Sequence, residues 1–180
     1  MDYETKFNER RKNYLGDKPL AEPRAIDFYT SLDHVALYPF GYENIFKEKH
    51  PNKMKGSVLH NPTAKDFLKL IPLELKKAPD FILFWEKEPH RKMFFVEAKG
   101  CGDILRIKVE DCEAYSWWDT AFNDVNVVMF IYSMSLEKEI QMSWKKFYRI
   151  IINNDYKTKK FPDNNKEYYP IPVEDIFNEN

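Results

Sequence analysis

Glycine and cysteine are scarce in this chain, and neither sign of charge dominates it. Five glycines in 180 residues leave no glycine-rich linker, and no tract is repetitive or of low complexity. Two cysteines, Cys101 and Cys112, are too few and too oddly spaced for a disulfide framework or a zinc site, so both are expected to be reduced and structural. His34, His50, His60 and His90 are scattered without the paired spacing of metal ligands and read as surface or hydrogen-bonding residues. A formal net charge of −1 gives no overall pull towards a polyanion. No apolar run approaches membrane-spanning length. The amino terminus, Met1-Asp2-Tyr3-Glu4-Thr5-Lys6, lacks a basic-then-apolar leader, so a cytoplasmic protein without membrane contact is expected.

The chain is instead rich in apolar and charged residues. With 43% hydrophobic and 16% aromatic residues it can bury a sizeable core, and 32% charged residues keep its surface wet. At this length one domain over residues 1–180 suffices. Basic clusters occur at Arg10-Arg11-Lys12, Lys47 to Lys55, Lys76-Lys77, Lys145-Lys146 with Arg149, and Lys157 to Lys160. Such clusters are usually solvated faces, and any of them can also meet phosphate.

Hydrophobic spacing gives an order of elements. Residues 1–23 read as an N-terminal arm with a short helix, with Pro19 and Pro23 stopping any longer one. The aromatic run from Ala25 to Lys49 suggests helical packing, interrupted at Pro39-Phe40-Gly41. A loop is expected over 50–62, a helix opening at Thr63-Ala64-Lys65-Asp66 and ending near Ile71-Pro72, and a first strand within Leu68 to Leu75. Two strongly apolar strands follow, Phe81-Ile82-Leu83-Phe84 and Phe94-Phe95-Val96, separated by the turn-like run Glu86 to Lys92 and so forming an antiparallel hairpin. Gly100-Cys101-Gly102 reads as a flexible exit. A helix from Val109 to Asn123, a buried strand from Asn126 to Met134, a neighbouring strand at Glu139 to Ser143 and a helix from Trp144 to Asn153 complete the pattern. Residues 154–180, acidic and interrupted by prolines, read as a C-terminal extension.

Chemistry gathers at the ends of the hairpin strands. Asp80 opens one strand, and Glu97 and Lys99 stand two apart at the end of the next, so strand alternation puts all three on one face. Two carboxylates suit a hard divalent cation, and a nearby lysine can assist an attacking water or offset charge on a phosphoryl group. Gly100 and Gly102 let the following helix start near this strand end, which would bring Lys108 and Tyr115 to the substrate. Lys108, Asp111, Tyr115 and Trp118 fall on one side of that helix.

The pair Pro79-Asp80 followed by Glu97-Ala98-Lys99 resembles the PD-(D/E)XK nuclease superfamily. The resemblance implies an α/β fold with a restriction-endonuclease-like αβββαβ core, a mixed central sheet flanked by helices. It implies a metal-dependent DNA nuclease that hydrolyses phosphodiester bonds, with Asp80, Glu97 and the Ala98 carbonyl holding Mg²⁺, or Mn²⁺ in its place, and Lys99 assisting the attacking water. A further carboxylate from the first helix is common in the superfamily; Glu9, Glu22 and Glu43 are the candidates. Some members carry Gln four residues before a Tyr on the helix after Glu-x-Lys; Asp111 stands there before Tyr115, so that signature is absent. A homodimer is expected of an enzyme that cuts both strands, whereas an exonuclease can act alone. The alternative is a catalytically inactive, nuclease-like binding or assembly module.

Overall fold

A computed structural model describes residues 21–40, 74, 77–122 and 124–178. The expected arm up to residue 20, the loop over 50–62, the helix opening at Thr63, His50, His60 and the clusters at Arg10 and Lys47 lie outside them. Helix α1 (Ala21–Thr30) has Pro23 in its first turn, where the missing N–H has no helical partner to lose, so the proline expected to stop a helix helps to open one. Its buried residues, Ala21, Ala25 and Tyr29, recur every four positions and form a single stripe. His34 adopts a left-handed φ of 64° and turns the chain into strand β1 (Val35–Pro39).

This strand corrects the expected helical packing of Ala25 to Lys49. Val35 to Pro39 pair antiparallel with Trp85 to Phe81, and Tyr38 meets the Phe84 ring edge-on at 5.9 Å, so cross-strand pairing overrides the helical spacing. It also takes the place beside the hairpin given to Leu68–Leu75, of which the one described residue, Glu74, is helical.

The hairpin itself forms from β2 (Phe81–Lys87) and β3 (His90–Cys101), in register from Phe81↔Val96 to Lys87↔His90. The ladder therefore runs almost to the tip, and most of the charged run expected as a turn is strand. From Cys101 the chain enters β4 (Ile104–Lys108), then helix α2 (Val109–Ala121) and β5 (Asn126–Ser133), which pairs parallel with β3. Strand β6 (Lys138–Ser143) lies antiparallel beside β5, completing the order β1-β2-β3-β5-β6. Helix α3 (Trp144–Asn153) starts where the Ser143 hydroxyl accepts the Lys146 N–H at 3.3 Å.

A second sheet was not anticipated. Strands β7 (Lys159–Lys160) and β8 (Glu167–Pro172) pair with β4 in the order β4-β8-β7, and α4 (Val173–Phe177) follows. Leu105 and Ile107 point inwards and Ile104 and Arg106 outwards, the alternation of a half-buried strand. Ile171, Val173 and Ile176 join the same apolar cluster as β5, so the residues read as a C-terminal extension build one wall of the core.

The central sheet has two different faces. Val96, Ala98, Phe81, Leu83, Phe130 and Tyr132 pack against α1. Phe95, Cys101, Val127, Met129 and Ile131 pack against α2, α3 and the second sheet. Strand β3 overhangs β2, because pairing with β2 stops at Val96 while pairing with β5 continues to Cys101. No helix among the described residues is long and apolar enough to cross a membrane.

Candidate active site

The overhang brings together the residues singled out from the sequence. Asp80 precedes β2 by one position, and one more rung of the ladder would set it opposite Glu97. Its side chain replaces that rung: Asp80 Oδ2 accepts the Ala98 N–H at 2.9 Å, and the Asp80 carbonyl accepts the Phe40 N–H at 2.8 Å. Glu97 and Lys99 share the β3 face of Phe95 and Cys101, directed at α2.

Glu97 is 3% exposed. One of its oxygens, Oε1, pairs with the Lys99 amine, and the other, Oε2, is buried without a hydrogen-bond partner. An orphaned carboxylate oxygen of this kind is costly unless something occupies it in the working protein. Lys99 Nζ also lies 5.7 Å from the centre of the Tyr115 ring. Tyr115 is 3% exposed and sits one turn along α2 from Asp111.

Electrostatics reflect this crowding. Burial and the Glu97 charge push the Asp80 carboxyl up to about 8, against the opposing pull of Lys99 and the Ala98 N–H. Burial works to lower the Lys99 pKa, but Glu97, Tyr115, Asp111 and Asp80 together hold it well above its ordinary value, so the amine stays protonated. Burial, reinforced by Glu97, raises the Tyr115 phenol well above its usual range and keeps it a hydrogen donor. Lys108 caps the start of α2, half-buried, and its amine is lowered by burial and by the charges of Lys77 and Lys99. The expected closeness of Lys108 to the site is thus present, although β4 lies between the glycines and the helix. Gly100 is itself a strand residue; a Cβ there would sit 3.6 Å from Ala21 Cβ, an ordinary contact, so no sharp turn depends on it.

Of the three first-helix candidates, Glu22 is described; Glu9 and Glu43 fall outside the described residues. The Glu22 charge contributes to the upward shift of Asp80. One residue of the neighbourhood, Lys77, was not assigned a role from the sequence. Lys77, read there as part of a solvated cluster, is ion-paired with Asp111 Oδ1 at 2.7 Å and with Glu110 Oε1 at 3.0 Å; Glu110 also pairs with Lys166 at 2.7 Å. The helical spacing of Asp111 and Tyr115 was the available signal, but nothing in the sequence points from Asp111 to Lys77.

Cys101 and Cys112 are both buried and unbridged. Burial pushes their thiols up to about 11 and about 12, which leaves them poor nucleophiles. Among the described residues no three His, Cys, Asp or Glu side chains form a group that could hold a metal ion. Asp80 and Glu97 nevertheless fit a partial donor set, because a cation there would satisfy Glu97 Oε2 and offset the burial and the Glu97 charge that keep Asp80 protonated. Mg²⁺ usually keeps several waters and substrate phosphate oxygens in such a site.

No protein family matches the sequence, and no curated protein does. Among solved structures, D212, a nuclease from a fusselovirus, is similar to the chain at 17% identity with a TM-score of 0.41, over 86% of this chain and 76% of that one.

Proposed function

We propose that the protein is a Mg²⁺-dependent DNA nuclease of the PD-(D/E)XK kind, with Mn²⁺ able to substitute. The observation that carries this reading is the buried Glu97, one oxygen on Lys99 and the other unpartnered, beside a second carboxylate whose proton is retained to about 8. Asp80, Glu97 and the Ala98 carbonyl would hold the cation, which when bound polarises a phosphoryl oxygen and acidifies a water. Lys99 stays a cation in this setting, so its task is to orient the attacking water and offset charge building on the phosphoryl group rather than to take a proton. Tyr115 fixes the Lys99 amine over its ring face, and Lys108 attracts the substrate phosphate at the mouth of the site.

The test is incubation with supercoiled, linear and branched DNA in Mg²⁺, Mn²⁺ or chelator, with Asp80→Ala and Glu97→Ala alongside. Metal-dependent cleavage by the parent and none by either variant is expected. Cleavage that persists in chelator, or at the parent rate in both variants, overturns the assignment. The near-neutral charge favours one alternative, a nuclease-like binding or assembly module without turnover, against which the intact Asp80, Glu97 and Lys99 stand. A parent protein that binds DNA but leaves every substrate intact in both metals would establish it.

A further inference from the structure

Helix α2 touches the site twice along one stripe. Tyr115 supports Lys99 from one turn, while residues one turn to either side grip the segment that leads into β2. Asp111 and Glu110 bind the Lys77 amine, and Trp118 Nε1 donates to the Glu74 carbonyl at 2.9 Å, an oxygen that also accepts the Lys77 N–H at 3.2 Å. Lys77 lies three residues before Asp80, with Ala78 packed on the core and Pro79 fully buried between them. Asp80 is not itself within a strand ladder; its carbonyl is held by the Phe40 N–H, and its side chain rests on the Ala98 N–H and on the course of this lead-in segment.

From these contacts we infer that Lys77 is a positioning residue of the site: its ion pairs with Asp111 and Glu110 clip the lead-in segment to α2 and so fix Asp80 against Ala98 and Glu97. The inference builds on the proposed metal site but does not depend on it, because the Asp80–Ala98 hydrogen bond exists without a cation. Asp111 is 6% exposed and Glu110 is partly buried, so the ion pairs are partly shielded from solvent screening. A neutral side chain at position 77 would remove this ionic tie between the lead-in segment and α2.

Amide hydrogen exchange of Ala98 reads this contact directly. In Lys77→Met the Ala98 N–H should exchange faster by roughly tenfold or more, as local opening without global unfolding. The Val127 N–H, held by Asp119 at the other end of α2, should keep its protection. Lys77→Arg should restore most of the Ala98 protection. The double variant Lys77→Met with Asp111→Asn removes the buried charge left unpaired, so it should regain stability without regaining Ala98 protection. A second readout is the Mn²⁺ concentration that raises the melting temperature: Lys77→Met should need several-fold more metal than the parent. Parental exchange at Ala98 in Lys77→Met overturns the positioning role, as does equal loss of protection at Ala98 and Val127. If the parent protein gives no metal-induced shift while Ala98 responds as described, the clip stands and the metal assignment falls.

Discussion

Helix α2 has a buried aspartate near each end, and the two are treated differently. Asp119, 7% exposed, accepts the Val127 N–H at 3.0 Å and has the Lys145 amine at 3.6 Å; it closes the turn from α2 into β5, and its charge has partners on both sides. Asp111, 6% exposed, belongs to a neighbourhood of three lysines and several carboxylates in which Glu97 keeps an unpartnered oxygen and Asp80 retains its proton to about 8. Burial of a charge therefore does not mark chemistry by itself. What separates the two ends is whether the buried charges are satisfied by the fold, and only the Asp111 end has capacity left over.

The comparison breaks most visibly if both ends affect turnover. Glu97→Ala is expected to abolish cleavage, and Lys99→Ala to slow it by roughly a hundredfold or more while metal binding survives. Asp119→Ala should leave the rate per folded molecule unchanged. Single-turnover cleavage at saturating Mg²⁺ measures all three, and a comparable loss in Asp119→Ala would erase the distinction.

Stability, unlike turnover, should not separate the two ends. Removing Asp119 leaves the Val127 N–H buried without its acceptor, so Asp119→Ala should cost about 1–3 kcal/mol in urea unfolding. Glu97→Ala removes an orphaned oxygen but leaves the Lys99 amine without its closest partner, so it should cost at least as much.

A third way to sharpen the contrast uses pH. The Asp80 carboxyl is raised to about 8 in the folded protein, while its unfolded value lies near 4. Between these values the folded state holds a proton that the unfolded state has lost, so the wild-type protein loses stability as pH rises through that window. Asp80→Asn carries no such loss. In chelator, the variant should match the parent at the acid end and exceed it at alkaline pH by about 1–3 kcal/mol, less than the full shift because Asp80 is partly exposed. A difference between the two proteins that does not vary with pH would mean that burial and the Glu97 charge do not raise the Asp80 carboxyl. The smallest expected effect is that of Lys108→Gln, which should lower the salt dependence of DNA binding by about one phosphate contact and slow cleavage only a few-fold. Unchanged binding, salt slope and rate would take Lys108 out of the site.

Long apolar segments were readable from the sequence, and short ones were not. The hairpin, α2, β5, β6 and α3 follow from continuous apolar runs or from clear periodicity. Strands β1 and β4 have five residues each and were missed for different reasons. Val35 to Pro39 sits inside an aromatic stretch that fits helical spacing equally well. The alternation of Leu105, Arg106, Ile107 and Lys108 was a legible signal, lost because the glycines before it suggested an immediate turn into the helix. Asp80, Glu97 and Lys99 could be brought together on paper because a hairpin register is local. The partnership of Lys77 with Asp111 depends on how α2 lies across the sheet, which no local pattern encodes.

The pairing of β4 with β8 has a consequence in time. During synthesis the hairpin, α2 and β5 are made before β8, so β4 waits without a partner and Leu105 and Ile107 wait without their cover. The strand that ends at Lys108 is thus the last wall to be closed. A growing chain would hold Asp80, Glu97 and Lys99 on a formed hairpin well before the helix facing them is anchored, which makes maturation of the site a late event set by the arrival of Tyr168 to Ile176.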